Sequence, residues 1–184
     1  MPDELIDILD HTGNPTGEVR LKSDVHRLGL LHASVHIWFY TKKGELLIQK
    51  RAEDKDTYPN LWDVSVAGHI AAGETPKNSA LREITEEIGL TINIEDLLFI
   101  GTYLAKKIPT PFILDNEIHH IYMTPLKVPL TSLQLQQEEV ADITLIKIDE
   151  LIKALSNHNK AKKYVPHDKK YFEMILKEIE NRLS

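Results

Sequence analysis

Cysteine is missing altogether from this chain of 184 residues. Disulfides, thiolate metal sites and a cysteine nucleophile are therefore excluded before any pattern is read. No apolar run approaches the ~20 residues that a membrane-spanning helix needs, so no membrane partner is expected. A basic surplus is lacking too: 22 Lys and Arg stand against 28 Asp and Glu, a formal net charge of −6. A broad electrostatic footprint for a nucleic acid polymer is absent, and a polyanionic ligand has to be held by local cations or by metal. The opening Met1-Pro2-Asp3-Glu4 lacks the basic-then-apolar layout of a signal peptide, so a cytoplasmic protein is expected. Internal repeats and low-complexity segments are also missing. What is present, 42% hydrophobic and 27% charged residues, suits a globular chain able to fill a core. The length fits one domain, or one domain with an appendage.

Turn signals and periodicity divide the chain. Residues 5–9 form a short apolar run, Asp10-His11-Thr12-Gly13-Asn14-Pro15 a turn, and 18–21 a hairpin partner. Residues 22–31 read as a short helix or a loop. Strands are expected at 33–40 and 45–50, joined by Lys42-Lys43-Gly44, and a loop at 52–60. A short strand at 62–66 runs into Gly68. Thr75 caps a helix with Pro76 at its first position, and Gly89 stops it after Ile88. Further strands are expected at 97–104, 117–126 and 143–148. Asp149 is expected to cap a helix over 150–155. A final amphipathic helix is expected over 167–182, with Phe172, Ile175, Leu176 and Ile179 on one face. Mixed strands with two or three covering helices imply an α/β/α layered fold with a mixed β-sheet. Residues 1–30 read as an N-terminal extension packed on a domain formed by 31–184.

The chemistry is concentrated in residues 68–90, GHIAAGETPKNSALREITEEIGL. Glu83, Glu86 and Glu87 stand at i, i+3 and i+4, so three carboxylates share one helix face. Leu81, Ile84 and Ile88 mark a different, core-facing side. Like charges at these spacings cost a helix roughly 0.2–0.5 kcal/mol per pair, and a hard divalent cation with oxygen ligands is the natural compensation. Gly68 and Gly73 let the backbone come close to a metal or phosphate. Glu74 at the loop–helix junction can brace the loop, and Arg82 can orient a neighbouring carboxylate or touch phosphate. The plain alternative is a solvated acidic face with an Arg82–Glu86 ion pair.

The segment matches the Nudix signature G-x5-E-x7-R-E-U-x-E-E-x-G-U (U aliphatic) at Gly68, Glu74, Arg82, Glu83, Ile84, Glu86, Glu87, Gly89 and Leu90. With average residue frequencies, a chance match in a chain this long is on the order of one in ten million. The resemblance implies an α/β/α sandwich and hydrolysis of a nucleoside diphosphate linked to another moiety, with Mg²⁺ or Mn²⁺ as cofactor. It implies Glu83, Glu86 and Glu87 as side-chain metal ligands, the Gly68 carbonyl as a further one, and Glu83 or Glu87 as holder of the attacking water. A carboxylate outside the motif often assists; Glu138 or Glu139 is best placed, with Glu139 the one carried as catalytic, although an exposed loop is the plainer reading of that run. The implied partner is a small-molecule diphosphate, and a homodimer is left open.

A wider likeness over about residues 5–126 is to the isopentenyl-diphosphate isomerase branch. It implies a second metal site of Mn²⁺, Zn²⁺ or Mg²⁺ at His26, His32, His69, Asp115 and Glu117, and diphosphate contacts from Arg51 and Lys55, with Lys22 a weaker candidate. The isomerase protonates an alkene with a cysteine placed where this chain has Ala67. The chain thus resembles the hydrolase relatives of that branch; an isomerase-like enzyme and a non-catalytic nucleotide-binding module are the alternatives. Trp62 reads as core or as a stacking platform. His119-His120 and residues 160–163 read as solvated surface.

Overall fold

The computed structural model describes residues 3–183; Met1, Pro2 and Ser184 lie outside the described residues. The described chain opens with an antiparallel hairpin, β1 (Leu5–Leu9) and β2 (Pro15–Leu21). The segment left open as helix or loop is helical at α1 (Lys22–Leu28), stopped by Gly29 in the left-handed region at φ 65°. Ile6, Ile8 and Val25 give this part a small core of its own. It is tied to the rest where the Gly73 amide donates to Asp7 at 2.8 Å.

A seven-stranded mixed sheet follows: β3 (His32–Tyr40), β4 (Glu45–Arg51), β5 (Trp62–Asp63), β6 (Val66–His69), β7 (Leu98–Thr110), β8 (Ile113–Pro125) and β9 (Val140–Lys147). β3 pairs in parallel with β8, from His32↔Glu117 to Tyr40↔Pro125. Helix α2 (Pro76–Ile88) covers one face. The other face is covered by α3 (Ile148–Leu155) and α5 (Lys169–Leu183), with the one-turn α4 (His158–Ala161) between them in sequence. Alternation along β3 builds both layers. Val35, Ile37 and Phe39 pack with Ala80, Ile84 and Ile88 of α2. Trp38 and, from β8, Ile121 and Met123 pack with Tyr171, Ile175 and Ile179 of α5 and Leu151 of α3. This is the α/β/α layering with a mixed sheet. No helix among the described residues is long and apolar enough to cross a membrane.

Four local expectations need correction. The strand expected over 62–66 is split, because the buried Ser65 side chain takes over the bonding there. Its hydroxyl donates to Leu47 O at 2.5 Å and accepts from Phe39 N at 2.8 Å, joining β3 to β4 through a side chain. Gly68 consequently lies inside β6, paired with Val35. Asp149 does not cap α3: that helix starts two residues earlier than expected, after Lys147, which leaves Asp149 in the first turn where its charge meets the free amides. The buried stripe of α5 is Tyr171, Ile175 and Ile179, with Phe172 at its margin. The Tyr171 hydroxyl draws the stripe round by bonding Trp38 and His36.

Ile84 and Ile175 occupy separate cores on opposite faces of the sheet. Ile84→Ala and Ile175→Ala should each destabilise by about 2–5 kcal/mol. In a double variant the two losses should add; urea unfolding of all three variants checks this.

Candidate active site

The geometry of the site begins with how α2 is closed. Thr75 Oγ1 accepts from the Asn78 amide at 3.3 Å, Pro76 takes the first turn, and Gly89 ends the helix at φ 65°. With Ile84 and Ile88 turned into the core, Glu83, Glu86 and Glu87 face a cleft. Glu83 and Glu87 are 8% and 4% exposed, whereas Glu86 reaches solvent. A Cβ at Gly68 would overlap the Glu83 carboxyl group, so only glycine permits this approach. Arg82 binds the group together: it donates to Glu83 at 2.6 Å, to Glu86 at 3.0 Å, to Glu74 at 3.1 Å and to the His69 carbonyl at 3.0 Å. Glu74 also accepts from Ser79 and so braces the loop. Glu87 accepts from Gln49 Nε2 at 3.0 Å and from the Ala67 amide at 3.3 Å.

Burial pushes the Glu83 carboxyl up to about 7, against the pull of Arg82. Burial, with Glu83 and Glu139 adding repulsion, also raises Glu87 well above the carboxylate range. Glu74 goes the other way: bonds from Arg82 and Ser79 outweigh its burial. Two adjacent buried carboxyls that resist ionisation, beside a main-chain carbonyl, fit a hard cation whose charge would let both ionise.

Glu83, Glu86, Glu87, Arg82, Gly68 and Ala67 line one cavity of about 1350 Å³. Across it Lys55 is ion-paired with Glu139, and both line the same space, while Glu138 is exposed. Arg51 is held inward, Nε donating to Thr57 O at 3.0 Å and a terminal nitrogen lying 3.3 Å from Asp63. Lys22 sits on the rim.

A histidine group adjoins the motif. His26, His32, His69 and Glu117 each offer one ligand atom, all within 4.8 Å of one another. His32 Nδ1–H donates to Leu30 O at 2.9 Å, and in the neutral ring Nε2 would carry a lone pair; that atom is buried, unpartnered and 3.7 Å from a Glu117 oxygen. A lone pair facing a carboxylate needs a proton or a cation between them. Asp115 lies outside the group of four but 3.0 Å from His26 Nδ1, where it orients that ring.

The surface reading of His119 is wrong: it is 4% exposed and lines the cavity. Strand alternation carries the signal that was passed over, since positions 32, 34, 36 and 117, 119 share one side of the β3–β8 pair. His36, His167, Asp63, Lys107 and Gln49 were likewise missed. His167 and Asp63 meet at 2.7 Å from distant parts of the chain, and no local spacing announces that. Trp62 is half-buried against the α5-side core.

An α/β/α sandwich holding a glycine-anchored carboxylate helix over a polar cleft is the class of fold to which the motif pointed. The NUDIX domain family matches residues 30–168, and the chain belongs to the Nudix family. It is 35% identical over 172 residues to Nudix hydrolase 3 of Arabidopsis thaliana, covering 91% of this chain but only 22% of that longer protein. The isopentenyl-diphosphate Delta-isomerase of Corynebacterium diphtheriae is 32% identical over 157 residues, covering 83% of each chain. The solved structure of DR0079 from Deinococcus radiodurans superposes with a TM-score of 0.67 at 21% identity, over 90% of this chain and 94% of that one, a likeness of fold. The family generally uses divalent metal ions.

The raised Glu83 gives a pH test. Its folded-state value of about 7 exceeds the ordinary 4.5, so its protonated form stabilises the fold fully below 4.5 and that contribution is lost as pH rises through about 7. Metal-free wild type should therefore lose melting temperature relative to Glu83→Gln, whose amide stays neutral, between pH 5 and pH 8. Parallel melting curves measure the difference.

Proposed function

We propose that the chain is a metal-dependent Nudix hydrolase that cleaves a diphosphate linkage in a nucleotide-linked or related small molecule, using Mg²⁺ or Mn²⁺. The observation that carries this reading is the pair of buried, ionisation-resistant carboxyls, Glu83 and Glu87, held against Gly68 and Ala67 in a large polar cleft. Glu83, Glu86, Glu87 and the Gly68 carbonyl would hold the cation. When bound, such an ion neutralises phosphate charge and acidifies water.

The chain's own residues supply the rest. Arg82 fixes the positions of Glu83, Glu86 and Glu74 by donating to all three. Gln49 fixes Glu87. Lys55 and Arg51 are the cations available to diphosphate oxygens on the opposite wall. Glu139 is held by Lys55; a phosphate that draws Lys55 away leaves Glu139 free to accept a proton from the attacking water. His26, His32, His69 and Glu117, with Asp115 behind His26, would hold a second cation. Alkene protonation in the isomerase manner lacks its acid, because Ala67 lines the cleft with a methyl group.

Phosphorus NMR of purified protein with Mg²⁺ or Mn²⁺ and a panel of diphosphate esters tests the reading. Turnover of at least one ester is expected, falling by orders of magnitude in Glu86→Gln and Glu87→Gln with unchanged circular dichroism. Turnover of none, by folded protein, would sink it. Gln49→Leu should weaken metal affinity by about 10–100-fold without removing a ligand, as read by Mn²⁺ titration calorimetry.

A further inference from the structure

The inner end of the cleft, beyond Ala67, is built from β3, β8 and the segment leading into α5, and its polar groups are not used above. His36 and His119 stack there with ring centroids 3.9 Å apart and planes 21° apart. They are 5% and 4% exposed, and both line the cavity with Ser34, His167 and Lys107.

Hydrogen-bond pairing fixes what each ring offers. Trp38 Nε1–H can only donate, and it donates to the Tyr171 oxygen at 3.0 Å. The Tyr171 proton then goes to His36 Nδ1 at 2.8 Å. A neutral His36 therefore carries its own proton on Nε2, as a donor. His119 Nδ1 lies 2.7 Å from Ser34 Oγ and 3.3 Å from a Glu117 oxygen. A lone pair there would face a carboxylate, so Nδ1 carries the proton and Nε2 is a bare acceptor. That Nε2 is buried and has no partner. The chamber thus holds one imidazole donor and one imidazole acceptor side by side.

A metal ion is the rival occupant, since one ring nitrogen of each of His36, His119 and His167 lies within 4.8 Å of the others. His167 is already committed: Nε2 bonds Asp63 at 2.7 Å, and Nδ1 lies 3.2 Å from the Lys107 ammonium. Both of its nitrogens are used, and the ammonium beside them repels a cation. A hydrocarbon fares worse, because it leaves the donor and the acceptor buried and unmet. A hydroxyl meets both, since it accepts from one group and donates to another. With the ring centroids 3.9 Å apart, the two imidazoles can be bridged by one hydroxyl oxygen about 2.9 Å from each nitrogen, or by two neighbouring hydroxyls.

We propose that this chamber binds the hydroxyl groups of a sugar-like, polyhydroxylated moiety, through His36 Nε2–H and His119 Nε2, and selects it over a hydrocarbon. As the moiety attached to the diphosphate, it rests on the reading of α2 given above; as a binding chamber it stands apart from it.

The test has two arms. In the first, nitrogen-15 NMR of the intact protein follows the imidazole resonances during titration with D-ribose alone. Shifts at His36 and His119 are expected, and their loss of ribose response in His36→Phe, in protein that still melts cooperatively. In the second, the Mn²⁺-loaded enzyme is given ribose 5-diphosphate and isopentenyl diphosphate. A kcat/KM preference for the sugar ester of about a hundredfold or more is expected, because a site built to bond a hydroxyl rejects an analogue lacking it. Lys107→Met, which keeps both His36 and His119, should retain the ribose shifts at the two rings, and their loss there would overturn the proposal. Absence of a ribose shift, or equal or better use of the prenyl ester, overturns the proposal. Zn²⁺ ligation seen at His36 and His167 overturns it as well. Ribose shifts without turnover of any ester would uphold the chamber and reject the diphosphate reading. Turnover without preference or shift would do the reverse.

Discussion

The in-register parallel pairing of β3 with β8 is the constraint on which the site depends. Residues opposite one another in that ladder face the same way, so His32 stands beside Glu117 and Ser34 beside His119. The same alternation sends Val35, Ile37 and Phe39 to the α2 side. A slip of one residue would bury the histidines among the aliphatic side chains and turn the core out toward the cleft. One register thus sets the hydrophobic layer and the polar wall together, which is why the wall can be both buried and ordered.

Against that wall α2 brings the acidic half of the site. Its helix is well capped and its core face is aliphatic. The cost of crowding carboxyls is met locally, by Arg82 on one side and by the amides of Gln49 and Ala67 on the other. The opposing pKa directions follow from this. Glu83 and Glu87, buried with too few donors, are pushed up. Asp63, equally buried but bonded by His167 and faced by Arg51, is held well below the usual range. Burial is common to all three; the hydrogen bonds and the neighbouring charges, with carboxylates adding to the rise at Glu83 and Glu87 and cations lowering Asp63, decide the sign.

Most of the architecture and the motif side of the site were legible in the sequence, because both are written in local patterns. Thr75-Pro76 and Gly89 bracket α2 at the expected residues, and the spacing of Glu83, Glu86 and Glu87 gave their common face. The histidine chamber was not legible. His36, His119 and His167 come together only when β3, β8 and the chain before α5 meet, and neighbours such as His119-His120 look like surface when read alone. The split of the 62–66 segment was hidden for a similar reason, since it follows from bonds that Ser65 makes to two other strands. The misplaced cap on α3 differs, being a two-residue boundary error where an acidic residue suits the cap and the first turn alike.

The Ser65 join has a further consequence. β3 and β4 pair directly only at Tyr40↔Leu46, and beyond that point each takes a different partner, β6 for one and β5 for the other. The two strands therefore form a fork, and the chain from Trp62 to His69 is the wedge driven into it. One side of that wedge presents Asp63 to the histidine chamber, and its far end presents Gly68 to the acidic helix. The part proposed to recognise and the part proposed to react are thereby two ends of a single short segment. Redesign of one end would have to proceed through side chains, as at Ala67, because any change of backbone would be felt at the other.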